Sequence, residues 1–129
     1  MRETRKFGRA QRLKGKKAFA RVFGGRCSAS TGLLVVYAVK NDLPQARLGL
    51  VVGKKHGGAV RRNRIKRLLR EAFRLEGDAL PTGHDLVCIP RIGEIGTLTA
   101  YRRAMHVAAS RAVARCKTAQ NNRRDTKQQ

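Results

Sequence analysis

Lys54-Lys55-His56-Gly57-Gly58-Ala59-Val60-Arg61-Arg62-Asn63-Arg64-Ile65-Lys66-Arg67-Leu68-Leu69-Arg70-Glu71-Ala72-Phe73-Arg74 joins a glycine-broken basic loop to a segment of helical period. Ile65, Leu68, Leu69, Ala72 and Phe73 recur at a spacing that puts them on one helical face. Asn63, Arg64, Lys66, Arg67, Arg70 and Arg74 fall on the other side. One face suits a core, and the other presents a dense row of cations. Solvated helix faces usually alternate Glu with Lys. Here Glu71 is the one local counter-charge. Cations packed this closely repel one another, and an anionic partner offsets the repulsion. A phosphate backbone is the natural partner.

The rest of the chain points the same way. It has 129 residues, the size of one compact domain, and carries 30 Lys and Arg against 8 Asp and Glu, a net charge of +22. Its apolar content is that of a globular protein, so a real core is available. Nucleic acid is the expected partner. No membrane partner is expected, because no segment is long or apolar enough to span a bilayer and none resembles a lipid-inserting helix. The basic N-terminus is not followed by an apolar run, which argues against a secretory signal. Cys27, Cys88 and Cys116 are scattered and odd in number. That pattern argues against a disulfide framework and fits a reducing cytoplasm, the expected location.

Working outward from the basic segment, Gly32–Val39 and Arg47–Gly53 read as strands, separated by the turn chemistry of Asn41-Asp42-Leu43-Pro44. They are positioned to form a hairpin. Arg26–Ser30 reads as a short edge strand or a turn. A short helix is expected over Lys16–Phe23, ended by Gly24-Gly25. Downstream, His84–Pro90 reads as a strand. Leu98, Tyr101, Met105, Ala108 and Ala112 set the period of a closing helix to about Lys117. Residues 1–11 read as a flexible basic arm, 12–117 as the single domain and 118–129 as a disordered basic tail. The fold class is α+β: a small mixed β-sheet of about four strands packed with three helices, in the order α-β-β-β-α-β-α.

Catalytic constellations are not visible. Gly49-Leu50-Val51-Val52-Gly53-Lys54-Lys55 looks faintly like a phosphate-binding loop but fails on spacing and lacks the hydroxyl residue after the Lys. His56, His84 and His106 are not at metal-ligand spacing, so no metal site is expected, and each reads as a surface or strand-end residue. The carboxylates are sparse and unpaired, leaving no acid–base pair and no activated nucleophile. Asn63 suits a loop hydrogen bond, an RNA contact or a hydrated ion, with a helix cap as the plain structural role. Phe19, Phe23 and Tyr37 read equally as core residues or as a stacking surface for a single strand.

Taken together, Arg47–Lys55, Gly58-Ala59-Val60 and Arg62–Phe73 resemble the signature of the bacterial ribonuclease P protein component. Arg12-Leu13-Lys14 with Phe19 and Val22-Phe23, then Tyr37, then His84–Val87 and the closing helix follow in the same order, over about residues 10–116. The resemblance implies an RNA-binding subunit that assists a catalytic RNA, P RNA, in removing the 5′ leader from precursor tRNA. The RNA carries the chemistry with Mg²⁺, so no protein side chain is catalytic. It implies that Lys54, Lys55, Arg62, Asn63, Arg64, Lys66, Arg67 and Arg70 face RNA. It implies that Phe19, Phe23 and Tyr37 line a cleft for the single-stranded leader. A left-handed βαβ crossover, against the usual rule, is implied as well. P RNA and precursor tRNA are the expected partners, with no obligate protein partner. The alternative is a ribosomal protein or general RNA chaperone, which needs no leader cleft. Two positions depart from the family pattern. Gly58 stands where Asn is common, which bears on a polar role there. Leu34 stands where an aromatic is common, which bears on the extent of stacking.

Overall fold

The computed structural model describes residues 11–128, with side chains described as far as Thr118. The expected basic arm therefore lies almost wholly outside the described residues. The elements are α1 (Lys16–Gly24), β1 (Cys27–Ser30), β2 (Leu34–Lys40), β3 (Arg47–Leu50), α2 (Ala59–Glu76), β4 (His84–Pro90) and α3 (Leu98–Gln128), with a 3-10 turn at Lys54–His56. Four strands form one mixed sheet in the order β1-β2-β4-β3. β2 pairs antiparallel with both β1 and β4, and β3 pairs parallel with β4. This is the expected α+β architecture of three helices and a small mixed sheet.

The expected hairpin between β2 and β3 does not form, because β4 lies between them. β4 is buried at five of its seven positions, including both faces at its centre. Burial on both faces suits a strand to the middle of a sheet. The segment between β2 and β3 crosses the start of β4 and is pinned there. The Asn41 N–H donates to the Gly83 carbonyl, and Asn41 Nδ2 donates to Asp85 and to the Gln45 carbonyl. β3 then returns parallel to β4 through the α2 crossover.

Alternation in β2 divides the molecule into two layers. Leu34, Val36 and Ala38 are fully buried on the inner face. They meet Ile65, Leu69, Ala72 and Phe73 of α2, and Tyr101, Met105, Ala108, Ala109 and Ala112 of α3. The run of small residues on α3 lets that helix approach the sheet and α2 closely. Thr97 starts α3: its Oγ1 accepts the Ala100 N–H at 3.1 Å. Val35, Tyr37 and Val39 face the outer side and are half-buried. Among the described residues, α1 covers that side through Val22 over Val87, with Leu13 of the preceding segment buried beside them.

Two further expectations are corrected. α3 continues to Gln128 rather than ending near Lys117. No Gly or Pro interrupts residues 98–128. Lack of apolar anchors removes packing but does not stop helical hydrogen bonding. Cys27 and Cys116 form a disulfide, with Cα atoms 5.2 Å apart across 89 residues of sequence. Their spacing in the chain carries no sign that β1 lies against α3. Cys88 is a free thiol in the core, and burial pushes it up to about 12.

Candidate nucleic-acid interface

The basic segment folds as its period requires. Ile65, Leu69, Ala72 and Phe73 are buried, and Leu68 is half-buried. Asn63, Arg64, Arg67 and Arg70 are exposed, as are Lys54 and Lys55 in the preceding turn, while Lys66 is half-buried. None of these side chains forms an ion pair with a described residue. Arg62 differs: it is half-buried, and its Nε is buried without a hydrogen-bond partner among the described residues. Arg74 is drawn to Glu71, whose carboxyl it holds below the usual range. That pair leaves the other cations of α2 uncompensated.

The loop before α2 is tightly built. Its glycines are needed at one point above all. Gly57 has φ 116°, and a Cβ there would come within 2.4 Å of the Arg61 side chain. Arg61 crosses this gap. Its Nε donates to the His56 carbonyl at 3.1 Å, and its Nη2 donates to the Gly93 carbonyl. His56 was expected at the surface and is instead 5% exposed. Its Nδ1 accepts the Gly53 N–H at 3.0 Å, so its Nε2 donates to the Pro90 carbonyl at 2.7 Å. The ring thereby joins the Lys54–His56 turn to the end of β4. The spacing of single histidines carried no sign of this clamp.

On the other side of the sheet, Phe19, Phe23 and Tyr37 are all half-buried, whereas the core aromatics Phe73 and Tyr101 are 3% and 2% exposed. Phe23 and Tyr37 meet edge to face, with ring centroids 4.9 Å apart. Phe19 lies on Gly49, where a Cβ would come within 2.7 Å of its ring. The three aromatics adjoin Val51 and Ile89, also half-buried, in one apolar patch. These aliphatic members escaped the sequence reading, since a half-buried Val and a core Val have the same pattern. Leu34, noted as a departure at a stacking position, is fully buried on the inner face. Val35 faces the outer side instead, so Leu34 does not alter this surface.

The aromatic patch and the cationic helix meet. The chain before α1 runs beside β3, with the Leu13 N–H donating to the Leu48 carbonyl at 2.9 Å. This places Arg12 and Lys14 at a groove of about 240 Å³ that also touches Phe19, Gly49, Lys66 and Arg70. A second hollow of about 390 Å³ joins Arg12 to Asn63, Arg67, Arg70, Glu71 and Arg74. Arg12 and Lys14 therefore belong to the basic surface, although the period of α2 did not include them. Gly58 begins α2 without any side-chain cap.

Among the described residues no group of three or more His, Cys, Asp or Glu side chains is placed to hold a metal ion, and no helix is long and apolar enough to cross a membrane. The surface offers cations, one amide and aromatic rings. That set suits phosphate and unstacked bases.

Comparison with known proteins identifies the family. The Ribonuclease P family matches residues 7–113. The Ribonuclease P protein component of Brevibacillus brevis is 42% identical over 123 residues, covering 92% of this chain and 97% of its own. That of Thermotoga petrophila is 42% identical over 88 residues, or 68% of this chain and 75% of its own. Among solved structures, the RNase P protein of Thermotoga maritima aligns with a TM-score of 0.63 and 35% identity, covering 72% of this chain and 89% of its own. That of Staphylococcus aureus aligns with a TM-score of 0.66 and 32% identity, covering 74% and 89%. With this fold, this surface and a match over most of its length, the chain belongs to the ribonuclease P protein family, the protein components of an RNA-processing endoribonuclease.

Proposed function

We propose that the protein binds a catalytic P RNA through α2 and the Lys54–Lys55 turn, and the single-stranded 5′ leader of precursor tRNA through the outer aromatic patch. The single observation that carries this reading is the adjacency of two unlike surfaces. One is a helix face of cations without ion-pair partners among the described residues, and the other is a half-exposed patch bearing Phe19, Phe23 and Tyr37. The groove at Arg12, Phe19, Lys66 and Arg70 connects them. Cations neutralise phosphates without regard to sequence, while aromatic faces stack on bases that are free of a duplex. A mature tRNA lacks the leader, so stacking of that strand favours precursor over product.

In this reading the protein contributes binding and placement, not a reacting group. Mg²⁺ ions serve the RNA. The polar face of α2 is cationic and does not fit a protein-held metal ion. Lys54, Lys55, Arg64, Lys66, Arg67 and Arg70 offset the repulsion between phosphates of two RNAs, the task that extra Mg²⁺ would otherwise perform, while Asn63 supplies a neutral hydrogen-bonding amide.

The test adds the purified protein to a bacterial P RNA and a precursor tRNA at limiting Mg²⁺. Accelerated leader removal, with no cleavage by protein alone, supports the reading. Metal-dependent cutting by RNA-free protein that survives repurification overturns it. Equal stimulation of unrelated RNA cleavages would instead mark a general RNA chaperone.

A further inference from the structure

Among the described residues, the outer sheet face holds one buried charge. Asp85, on β4, is fully buried beside Val39 of β2 and Arg47 of β3. Arg47 grips both carboxylate oxygens, with Nε to Oδ1 and Nη2 to Oδ2 each at 2.7 Å. Asn41 Nδ2 donates to Oδ1 at 2.8 Å. Those contacts already match the charge and supply three hydrogen bonds. A second guanidinium is nevertheless present. Arg21 of α1 places Nη1 3.7 Å from Oδ2, and its Nη2 donates to the Lys40 carbonyl. Arg21 is half-exposed, so solvation alone would not hold it there.

Arg21 lies between Phe19 and Phe23 on the nine-residue α1. The outer face has three successive rows of side chains. Asp85, Arg47 and Val39 make the first. Val87, Gly49 and Tyr37 make the second, and Ile89 and Val35 the third, with Val51 beside it. α1 covers the first two rows, through Arg21 over Asp85 and Val22 over Val87. Val35, Ile89 and Val51 of the third row stay half-buried, as do Val39 of the first row and Tyr37 of the second. Hydrophobic contact has no preferred direction and grows with area. Apolar packing alone therefore does not fix where α1 sits along these rows. The tie of Arg21 to Asp85 and to the Lys40 carbonyl is directional, and it acts together with the Leu13–Leu48 backbone bond that precedes the helix.

We propose that Asp85 is a positioning residue for leader binding: through Arg21 it seats α1 over one half of the outer sheet face and keeps the apolar half beyond Tyr37 open. The inference rests on the leader reading above for its functional consequence, and on geometry alone for the seat of α1. Asp85 touches no RNA in this account. It acts by setting the distance between Phe19, Phe23 and the strand residues that face them.

The experiment compares the parent chain with Arg21→Ala and Asp85→Asn in two assays. In holoenzyme reconstituted with P RNA, affinity is measured for precursor tRNA bearing a leader and for leaderless tRNA. In the free protein, acrylamide quenching of tyrosine fluorescence reports Tyr37, because the chain has no Trp and Tyr101 is 2% exposed. Both variants are expected to lower the preference for the leader-bearing substrate by about tenfold, the size of one displaced stacking contact. Both are expected to reduce quenching of Tyr37, half-buried in the parent, as α1 is released from Asp85 and settles further over it. P RNA affinity in Arg21→Ala should equal that of the parent. Unchanged or increased quenching in Arg21→Ala overturns the proposal. Loss of leader preference in Arg21→Ala without reduced quenching also overturns it, since Arg21 would then touch the leader itself. If Asp85→Asn does not fold, the Arg21→Ala pair of measurements decides alone. A parent holoenzyme with no leader preference overturns the leader reading, while quenching still decides what seats α1.

Discussion

The two faces of the sheet are built from similar residues and treated differently. On the inner face, Leu34, Val36, Ala38, Leu86 and Cys88 are sealed beneath α2 and α3. On the outer face, Val35, Tyr37, Val39 and Ile89 stay half-buried, with α1 over only part of that side. The sealed face returns its apolar area as stability. The outer face leaves part of that area in water, and the leader of precursor tRNA is the proposed cover. The contrast shows why burial separates these aromatics where composition does not: Phe73 and Phe19 are the same residue type in opposite settings.

The largest expected effect tests the sealed face. Phe73→Ala should cost about 3–5 kcal/mol, by lost transfer free energy and the cavity left behind. Denaturant unfolding measures it, and a loss under 1 kcal/mol would mean that the inner face is not the principal core. The buried carboxylate comes next. Asp85→Asn leaves Arg47 without its partner and should cost about 3 kcal/mol. Its pH signature has a definite sign. Burial pushes the Asp85 carboxyl up, but the hydrogen bonds from Arg47 and Asn41, with the charges of Arg47 and Arg21, prevail and hold it below the usual range. A depressed carboxyl contributes stability that is present above the unfolded value, about 3.9, and lost as pH falls through the folded value. The parent should therefore lose stability in that acid window, and Asp85→Asn should show a flatter profile there. Parallel profiles would contradict the assignment.

The open face should respond in the opposite manner to Phe73. Tyr37→Ala should lower leader-dependent affinity by roughly 1–3 kcal/mol per unstacked base, with a smaller folding cost than Phe73→Ala. A larger folding cost with unchanged leader discrimination would return Tyr37 to the core. Arg67→Ala, on the exposed face of α2, should leave the melting temperature unchanged and make the salt dependence of P RNA binding shallower by about one unit. An unchanged slope would remove Arg67 from the interface. Arg62 is a poorer probe, because its half-buried stem mixes packing with charge. The smallest effect concerns Gly58, which begins α2 without a side-chain cap in open space. Gly58→Asn should raise stability by a few tenths of a kcal/mol through a cap to the first turn. Thermal melts would show it, and a lower midpoint would mean that another contact needs the glycine.

What this sequence determined by itself is periodic and local. The spacing of Ile65, Leu69, Ala72 and Phe73 sufficed to place the core side of α2 and, opposite it, the cations. The β-branched runs sufficed for three strands, and Gly24-Gly25 for the end of α1. Such features depend on neighbours within a turn or two along the chain, so they are written in the order of residues. Tertiary structure alone decided the strand order, which put β4 rather than β3 beside β2. It also decided the burial of His56 against Pro90 and the meeting of Cys27 with Cys116. It made Phe19, Phe23 and Tyr37 half-exposed rather than core, and brought Asp85 under Arg21 and Arg47. Each of these depends on groups separated by tens of residues. Their proximity follows from how the layers close over one another, and no local period encodes that distance.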